Sequence, residues 1–356
     1  MMSKKVLVGI SGGVDSSVAA ALLIDQGYKV TGAFMKNWDD DDGTPYCSVK
    51  EDFLDAASVC QKLGIELIQL NFAKEYNENV FSYFLSGLKE GKTPNPDIFC
   101  NKFIKFKEFF NYAIENNFDY IATGHYCQRI KKNEEFLLTK AIDQSKDQTY
   151  FLNDIDKKVL SKCLFPIGDI EKSEVREIAK KRDLITHNKK DSTGICFIGE
   201  RPFPEFLSNY LPLTSGKIID ADDNIVGEHN GLYFYTIGQR QGLGIGGVKG
   251  TSELPWYVAK KNTEENTLMV VQDNEHPLLF ESKLEVNSIN WLIDQKPNLN
   301  KLTAKIRYRQ KDQECSLLKT EKNWQVNFKI PQRAITSGQS IVFYKDNVCL
   351  GGGEII

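Results

Sequence analysis

A serine- and glycine-rich stretch near the start of the chain has the residue types and the spacing of a phosphate-binding loop. Residues Ser11–Ser17 (SGGVDSS) follow a buried-strand pattern and open a helical pattern. Two glycines let the backbone approach an anion, and the serine hydroxyls and first-turn amides can then bind phosphate. The stretch lacks the lysine of a Walker loop and the third glycine of a dinucleotide fingerprint. It therefore predicts a phosphate loop of another kind.

Cysteines are the second chemically active residue type in the chain. Cys100 and Cys196 lie in polar, turn-rich motifs, whereas Cys60 falls on the apolar stripe of a helical pattern and is interpreted as core. Eight cysteines without a CxxC pair give no support to a zinc-ribbon site. Their positions are 47, 60, 100, 127, 163, 196, 315 and 349.

The first 125 residues alternate strand and helix patterns, which predicts a doubly wound parallel α/β sheet. Ligands of such sheets bind beyond the carboxyl ends of the strands, where Ser11, Asp39, Asn71 and Gly124 are expected to meet. The predicted strands are residues 5–10, 28–34, 65–70 and 120–123. The predicted helices are residues 15–26, a helix that Ser48 can cap and Gly64 ends, and a helical face marked by Phe103, Phe106, Phe110, Ala113 and Ile114.

From about residue 205 the pattern changes to short, glycine-rich β runs, and from about 280 it is all β. Residues 301–309 alternate apolar with basic or polar side chains, as a half-buried strand does, and 324–330 repeat the alternation. A hairpin tip is predicted at 345–347. These patterns predict a small C-terminal β-barrel. The predicted domains are residues 1–205, 206–277 and 278–356.

Composition and charge exclude several classes of protein. The chain has 356 residues, 41% of them hydrophobic and 26% charged, with a net charge of -3, so neither a disordered protein nor a uniformly basic nucleic-acid coat is indicated. Residues 301–356 nevertheless hold ten Lys and Arg against five Asp and Glu, which predicts a basic face for a polyanion or a solvated lysine surface. Without a membrane-length apolar run or a signal-peptide pattern, a cytoplasmic location is expected.

The motifs together resemble one family. SGGVDS is similar to the loop of the N-type ATP pyrophosphatases, and further motifs, in the same order and over nearly the whole chain, resemble the tRNA-specific 2-thiouridylases. The resemblance implies an adenine nucleotide α-hydrolase-like (PP-loop) domain, a mainly-β central domain and a tRNA-contacting β-barrel. These motifs are MKNW (35–38), TPNPD (93–97), CNKF (100–103), ATGHY (122–126), KDQTY (146–150), DSTGICFIG (191–199), GQR (238–240) and RY (307–308).

The activity that this resemblance implies is the replacement of the C2 oxygen of the anticodon wobble uridine by sulfur, with 2-thiouridine, AMP and pyrophosphate as products. The chemistry agrees with the residues. Adenylation makes the oxygen a leaving group, a cysteine persulfide supplies soft sulfur, and a second cysteine resolves the disulfide. The implied cofactors are ATP and Mg²⁺. The implied partners are tRNAs for Lys, Glu and Gln, and a cysteine desulfurase or sulfur-relay carrier.

The resemblance also implies roles for individual residues. Cys100 is the nucleophile, Cys196 carries the persulfide, and the two form a disulfide during turnover. Asn95, Pro96 and Asp97 contact the target uracil, and Asp97 moves a proton. The implied ATP contacts are Gly9, Ile10, Ser11, Gly12, Gly13, Val14, Asp15, Ser16, Met35 and Gly124. The implied tRNA contacts are His125, Lys146, Asp147, Gln148, Arg307, Tyr308 and Gln339.

Several alternatives stay open at this point. Another adenylating enzyme of the superfamily, such as an amidotransferase-type synthetase, is opposed by the paired cysteines and the basic barrel. A non-catalytic RNA-binding protein is opposed by the intact Asp15. An iron–sulfur cluster on Asp97, Cys100 and Cys196 is opposed by the absence of a third nearby cysteine. Asp39–Asp42 is compatible with either a magnesium site or a solvated loop.

Overall fold

The computed structural model describes residues 3–38, 49–191, 203–246, 254–295 and 297–356. The α-helices are α1 (Val14–Asp25), α2 (Val49–Leu63), α3 (Ala73–Tyr76), α4 (Ser82–Lys89), α5 (Pro96–Phe99), α6 (Phe109–Glu115), α7 (Lys172–Lys181) and α8 (Phe203–Ser208). No helix among these residues is long and apolar enough to cross a membrane.

The β-strands fall into three sheets. The first sheet contains β1 (Lys5–Gly9), β2 (Lys29–Lys36), β3 (Leu67–Asn71), β4 (Tyr120–Ala122) and β7 (Cys163–Leu164). The second contains β8 (Gly216–Ile219), β9 (Ile225–His229), β10 (Trp256–Asn262) and β11 (Thr267–Gln272). The third contains β5 (Cys127–Lys132), β6 (Glu135–Lys140), β12 (Phe280–Val286), β13 (Asn290–Trp291), β14 (Leu302–Lys305), β15 (Gln313–Lys319), β16 (Trp324–Arg333), β17 (Ser340–Lys345) and β18 (Val348–Glu354).

The first sheet is parallel, in the order β3-β2-β1-β4-β7. Both of its faces are covered. Leu7 packs into one buried cluster with Phe106 and Phe109, and Val6 and Val8 pack into another on the opposite face. Burial on both sides is why β1 is a continuous apolar run and not an alternating one. The predicted doubly wound α/β architecture is confirmed.

One continuous helical stretch runs from residue 96 to residue 115. It begins as α5, passes through a π-helical segment at Cys100–Glu108, and ends as α6. A second π-helical segment, Asn77–Phe81, joins α3 to α4. Wider helical turns of this kind are frequent at functional sites. The helix predicted around Phe106 is confirmed, and Phe106 and Ala113 of its predicted face are buried, but Ile114 is 44% exposed. Ser48, the predicted cap of α2, lies outside the described residues.

The third sheet closes into the predicted C-terminal barrel. The order β12-β16-β15-β14-β17-β18 returns to its start through a bridge between Val286 and Ile355. The tip at Asp346 between β17 and β18 is also confirmed. The β5–β6 hairpin of the first domain adds to β18, where Thr139 pairs with Val348. The barrel is therefore joined by main-chain hydrogen bonds to a hairpin that lies between β4 and β7 of the parallel sheet along the chain.

The strand predicted over residues 301–309 is shorter in the structure, because β14 ends at Lys305. Arg307 and Tyr308 lie in the turn that follows, so they do not alternate on a strand. The Gln310 side chain accepts the amide hydrogen of Ile306 at 2.8 Å, and Arg309 adopts a φ of +65°. The Gln310 side chain therefore takes the place of a neighbouring strand as the hydrogen-bond partner of Ile306, and the alternating sequence pattern does not predict this.

Buried tyrosines fill the seam between the barrel and the first domain. The Tyr150 hydroxyl donates to the carbonyl oxygen of Ser340 at 2.8 Å and lies 3.3 Å from that of Ile306. Tyr344, fully buried on β17, shares a hydrogen bond of 3.1 Å with the Thr149 hydroxyl. Burial of these hydroxyls requires such partners, so the seam is specific in geometry as well as apolar.

Substituting Tyr150 by Phe tests this seam. The change removes one buried donor and leaves the Ser340 carbonyl without it, which we expect to lower the free energy of unfolding by about 1–2 kcal/mol. Thermal and denaturant unfolding followed by circular dichroism measure the loss. Tyr28→Phe, at a half-buried tyrosine on the rim of the parallel sheet, is the control. Equal effects of both substitutions would contradict the assigned role.

Candidate active site

The loop after β1 has the geometry of an anion site. Gly13 is the N-cap of α1 and provides no side-chain cap, so the first amide groups of that helix stay available to a ligand. The Ser16 hydroxyl accepts from the Ser11 amide at 3.1 Å, and the two serine hydroxyls are 3.2 Å apart. The loop is thereby closed on itself with hydroxyl and amide groups gathered at a helix N-terminus, as phosphate binding requires.

Two glycines allow neighbouring backbone to press against this loop. Gly12 has a φ of +75°, and a side chain there would place its Cβ 2.3 Å from the Asp52 carbonyl oxygen at the start of α2. A Cβ on Gly124, after β4, would lie 2.7 Å from the Ser16 amide nitrogen. The structure therefore brings Ser11 and Gly124 to one edge of the sheet, as predicted, whereas Asp39 lies outside the described residues.

Met35, the ATP-contact candidate on β2, lies next to Gly9, the candidate that ends β1. The Met35 Cε at the end of β2 is 3.0 Å from the Cβ that a side chain on Gly9 would carry, so these two candidates are neighbours. Asn71 ends β3 at this edge, as predicted, and its side chain accepts the Ala73 amide hydrogen at 3.0 Å just before α3.

Asp15 is held by two residues that sequence analysis did not assign. The Lys172 ammonium group, on α7, lies 2.7 and 2.8 Å from the two carboxylate oxygens of Asp15. The Tyr126 hydroxyl donates to the same carboxylate at 2.8 Å. Burial raises the pKa of the Tyr126 phenol, and the charge and hydrogen bond of Asp15 raise it further. Tyr126 stands in the quoted ATGHY motif, whereas Lys172 is the first residue of α7 and belongs to none of the quoted motifs.

Lys172 also reaches a second carboxylate. Its ammonium group is 2.8 Å from Asp191, which pairs as well with Lys146 at 2.7 Å and with Arg176 at 2.9 Å. Partial burial opposes ionisation of Asp191, but the hydrogen bonds and charges of Lys146 and Lys172 outweigh it and lower the pKa to about 2. Asp191 is thus ionised at neutral pH and fixes three cations next to the phosphate loop. It is the first residue of the DSTGICFIG motif, the rest of which lies outside the described residues.

The candidate uracil-contact residues form a helix start. The Asn95 side chain accepts the Asp97 amide hydrogen at 3.1 Å and caps α5, and Pro96 occupies the first helical position, where its missing N–H costs nothing. Burial raises the pKa of the Asp97 carboxyl, and the positive charge of Lys105 partly offsets that rise. A carboxyl with a raised pKa is suited to move a proton.

Cys100 does not lie in the polar loop that the sequence predicted. It begins the π-helical segment inside the continuous helix, is 2% exposed, and packs with Phe84 and Ile104. The wrong prediction came from the turn signals before it, which belong to the cap of α5 one turn earlier. The predicted partner Cys196 lies outside the described residues. Cys60 is confirmed as core, with burial raising the pKa of its thiol to about 11.

His125 is enclosed beside this helix. Its Nδ1 shares a hydrogen bond of 2.8 Å with the Thr123 hydroxyl, and its ring centroid lies 5.8 Å from that of Phe106. Burial, followed by the charge of Lys105, lowers the pKa of the imidazole well below its usual value, so the ring is neutral at physiological pH. Lys105 acts on both Asp97 and His125, which places the three in one electrostatic neighbourhood.

The candidate tRNA contacts at 146–148 are engaged within the protein. Lys146 pairs with Asp191, as described above. Asp147 accepts the Thr149 hydroxyl at 2.8 Å and lies 3.8 Å from Lys305 of the barrel. Gln148 accepts the Tyr126 amide hydrogen at 2.9 Å. This segment joins the phosphate loop to the barrel, and direct RNA contact by its side chains stays a prediction.

The barrel residues that the sequence analysis identified as candidate tRNA contacts also make their observed contacts within the protein. Arg307 donates to the carbonyl oxygens of Ile237 and Ala334 at 2.8 and 3.0 Å, and Lys305 is buried against Asp147 and Asp312. Tyr308 packs its ring 4.5 Å from that of Phe151. The Gln339 amide donates to the Thr93 carbonyl oxygen at 2.6 Å. Lys305 and Arg307 are therefore bonded within the protein and do not form a freely solvated surface, and their direct contact with tRNA stays a prediction.

A basic cleft is nevertheless present beside them. A cavity of about 670 Å³ lies between the first domain and the barrel, and five of its lining side chains are cationic while one is acidic. An excess of cations in a cleft attracts a polyanion. The cationic lining residues are Lys140, Lys146, Lys305, Arg309 and Lys311, and the acidic one is Asp312.

Metal binding was tested against the same residues. Within the described part of the chain, no group of three His, Cys, Asp or Glu side chains is arranged to hold a metal ion. Magnesium commonly uses one or two carboxylates together with the substrate phosphates. Asp15 is the carboxylate at the loop, and both of its oxygens face Lys172. The iron–sulfur alternative needs Cys196, which lies outside the described residues.

Family models match almost the whole chain. A tRNA methyl transferase HUP domain matches residues 4–200, a tRNA methyl transferase PRC-barrel domain matches 204–272, and an aminomethyltransferase beta-barrel domain matches 281–355. Together with the parallel sheet and the loop after β1, they define the class, a PP-loop ATP-using protein with a HUP domain and two β domains. The exact boundaries at 205/206 and 277/278 stay a prediction.

Curated relatives narrow the class to one family. The chain is 55% identical over 359 residues to the tRNA-specific 2-thiouridylase MnmA of Francisella tularensis subsp. tularensis, and equally to that of subsp. novicida, with all of each chain covered. The chain belongs to the tRNA-specific 2-thiouridylase family. This result replaces the alternatives of an amidotransferase-type synthetase and a non-catalytic RNA-binding protein.

Solved structures give only distant likenesses. A 4-thiouridine synthetase in complex with RNA and ATP is 17% identical, with a TM-score of 0.34, covering 58% of this chain and 49% of that one. An NMN synthetase from Francisella tularensis is 19% identical, with a TM-score of 0.33, covering 53% and 66%. The fold assignment rests on the topology and the family models.

The buried carboxyl of Asp97 predicts a pH-dependent effect on stability. Its pKa in the folded protein is raised above the ordinary 3.8, so its contribution to stability is present below that value and is lost as pH rises through the folded pKa. Asn imitates the protonated form. We therefore expect Asp97→Asn to raise the unfolding temperature at pH 7 and above, with the gain vanishing near pH 4.

Thermal unfolding of both proteins from pH 4 to pH 8 measures this gain. Asp222→Asn, at an exposed aspartate in the turn between β8 and β9, is the matched control. A gain that does not change with pH, or that is shared by the control, would contradict the assignment of a raised pKa to Asp97.

Proposed function

We propose that the chain adenylates the C2 oxygen of the anticodon wobble uridine in tRNA and replaces that oxygen with sulfur from a cysteine persulfide. Membership of the 2-thiouridylase family supports the reaction. The single structural observation that carries it is the phosphate loop with Asp15 fixed by Lys172, because an adenylating enzyme must bind triphosphate beside an organised carboxylate. The products are 2-thiouridine, AMP and pyrophosphate.

In the first step the loop binds ATP, with Gly9–Ser16, Met35 and Gly124 as the proposed contacts. The uridine C2 oxygen attacks the α-phosphorus, the bond between the α and β phosphates breaks, and pyrophosphate leaves. Negative charge develops on the departing phosphates, where the α1 N-terminus and the Lys172 ammonium group can stabilise it. Mg²⁺ would accompany the nucleotide phosphates, and Asp15 is the carboxylate at the loop that would help to hold it.

In the second step sulfur replaces AMP. The terminal sulfur of a persulfide on Cys196 attacks C2, and AMP departs with the former C2 oxygen. The Cys100 thiolate attacks the inner sulfur of that persulfide and breaks its S–S bond, so the terminal sulfur stays on C2 as the thiocarbonyl. The two cysteines are oxidised to a disulfide while the transferred sulfur is reduced, and a thiol reductant restores them. Asp97, at the start of the helix that carries Cys100, is the group proposed to take the uracil proton.

The proposed macromolecular partners follow from this chemistry. The basic cleft between the first domain and the barrel is suited to the phosphates of tRNA, and the isoacceptors for Lys, Glu and Gln are those expected. The persulfide must come from a cysteine desulfurase or a relay carrier. We expect the protein to act in the cytoplasm, where tRNA is modified.

Removing the carboxylate of Asp15 tests the adenylation site. Asp15→Ala removes one of the two carboxylates that pair with Lys172, so that only Asp191 remains. We expect tRNA-dependent pyrophosphate release to fall by about two orders of magnitude. Tyr126→Phe removes one hydrogen bond to the same carboxylate and should cost roughly fivefold. Affinity for tRNA, measured by filter binding, should stay within about twofold for both variants. Wild-type pyrophosphate release by Asp15→Ala would remove this site assignment.

Sulfur labelling separates the roles of the two cysteines. After incubation with a cysteine desulfurase and ³⁵S-cysteine, we expect Cys196→Ser to carry no persulfide label. Cys100→Ser should accept the label and form no 2-thiouridine, because it lacks the resolving thiolate. Both variants should still bind ATP, since no cysteine belongs to the loop.

Cys315→Ser, at a core cysteine of the barrel on β15, is the control for the labelling. Label kept by Cys196→Ser and lost from Cys100→Ser would reverse the two roles. Full thiolation by either variant would remove the two-cysteine mechanism.

A further inference from the structure

The loop that leads into the candidate uracil-contact residues is held by the barrel. The Thr93 amide donates to the Ser337 carbonyl oxygen at 2.8 Å, and the Gln339 side chain donates back to the Thr93 carbonyl oxygen at 2.6 Å. Between them Gly338, with a φ of +86°, lies so close that a Cβ would be 2.9 Å from the Thr93 amide nitrogen. Residues 336–339, here called the barrel clasp, thus bond both the N–H and the C=O of Thr93, two residues before Asn95.

The barrel also reaches the other side of the same segment. The Tyr83 hydroxyl, on α4, donates to the Glu354 carboxylate at the end of β18. The Tyr83 ring lies 4.4 Å from that of Phe99, which directly precedes Cys100. The barrel clasp and Glu354 are adjacent, because the Gly338 amide donates to the carbonyl oxygen of Ile355. One end of the barrel therefore contacts both flanks of residues 95–100.

The central domain adds a further contact to the same loop. The ammonium group of Lys261, on β10, donates to the Gly91 carbonyl oxygen at 3.1 Å, and burial lowers its pKa to about 8. Parts of the chain that are far apart in sequence therefore converge on the few residues before Asn95. A loop held at this many points has little freedom, and catalytic groups need placement to within a fraction of an ångström.

We propose that Gln339 is a positioning residue for the Asn95–Cys100 segment, acting through Thr93, so that the barrel completes the active site in addition to binding RNA. This inference rests on the proposed function of that segment. It differs from direct tRNA contact by Gln339, because the proposed effect passes through the hydrogen bond from its side-chain amide to the Thr93 carbonyl oxygen. Loss of that hydrogen bond should slow the thiolation of bound tRNA more than it weakens the binding of tRNA.

Gln339→Met tests the proposal, since methionine keeps the length of the side chain and removes its hydrogen bond without adding charge. With tRNA, ATP and a persulfide donor, we expect kcat for 2-thiouridine formation to fall about fivefold to tenfold. KM for tRNA and the Kd from filter binding should change by less than about twofold. Tyr83→Phe, which removes the hydroxyl on the other flank, should give the same split between kcat and KM.

Controls keep the outcomes distinct. Gln61→Met, at an exposed position of α2, should leave both constants unchanged. Lys311→Gln, in the basic cleft, should raise Kd and lessen its salt dependence by about one unit of slope. A Gln339→Met protein that behaves like Lys311→Gln would overturn the proposal in favour of tRNA contact, and one that behaves like Gln61→Met would overturn it outright.

The stability of the variant and the proposed function are tested separately. If Gln339→Met lowers the unfolding temperature, kcat is compared at a temperature at which both proteins are fully folded, and an unchanged kcat there would overturn the proposal. Failure of the wild-type protein to make 2-thiouridine would overturn the proposed function itself, and this outcome needs no variant.

Discussion

The ion pair between Asp15 and Lys172 is the interaction on which the arrangement of the site depends. Lys172 is 8% exposed, and a buried ammonium group is stable only with carboxylates to neutralise it. It finds two, Asp15 in the phosphate loop and Asp191 beyond α7. The pair therefore fixes the loop after β1 to a helix that is more than 150 residues away along the chain. Lys172 also holds Asp191, which lies five residues before Cys196 in the sequence.

Hydrogen bonds and an ion pair also connect the phosphate loop to the barrel. Gln148 holds the backbone of Tyr126, whose hydroxyl bonds Asp15, and Asp147 faces Lys305 across the seam. Residues that family resemblance marks as tRNA contacts are thus the joints between the parallel sheet and the barrel. The barrel clasp extends the idea to the segment that carries Asp97 and Cys100.

Local patterns predicted the parts of the fold that local forces determine. The buried run of β1, the glycine loop and the amphipathic α2 each follow from short-range periodicity, and the parallel sheet follows from their alternation. Where tertiary contacts decide, the predictions were wrong. The strand expected over 301–309 stops at Lys305, because the Gln310 side chain accepts the Ile306 amide hydrogen in place of a neighbouring strand, and the Arg307 side chain bonds the Ile237 carbonyl oxygen.

The candidate site shows the same division. Ser11–Ser17 was recognisable because its function needs a local sequence of glycines and hydroxyls. Lys172 and Asp191 were not assigned, because their role arises only when α7 packs against the loop. Cys100 was expected in a polar loop, yet its thiol faces an apolar cluster assembled from α4 and the helix start. Residue types therefore indicated which side chains could do chemistry, but the burial and contacts of those side chains depended on tertiary packing.

The central claim is that this chain converts a tRNA uridine to 2-thiouridine at the expense of ATP. Nucleoside mass spectrometry of tRNA, after incubation with the purified protein, ATP, cysteine and a cysteine desulfurase, tests it most directly. The account predicts 2-thiouridine at the anticodon wobble position, with one AMP and one pyrophosphate for each sulfur incorporated and none formed without tRNA. Absence of 2-thiouridine, or sulfur at another position of the base, would contradict it.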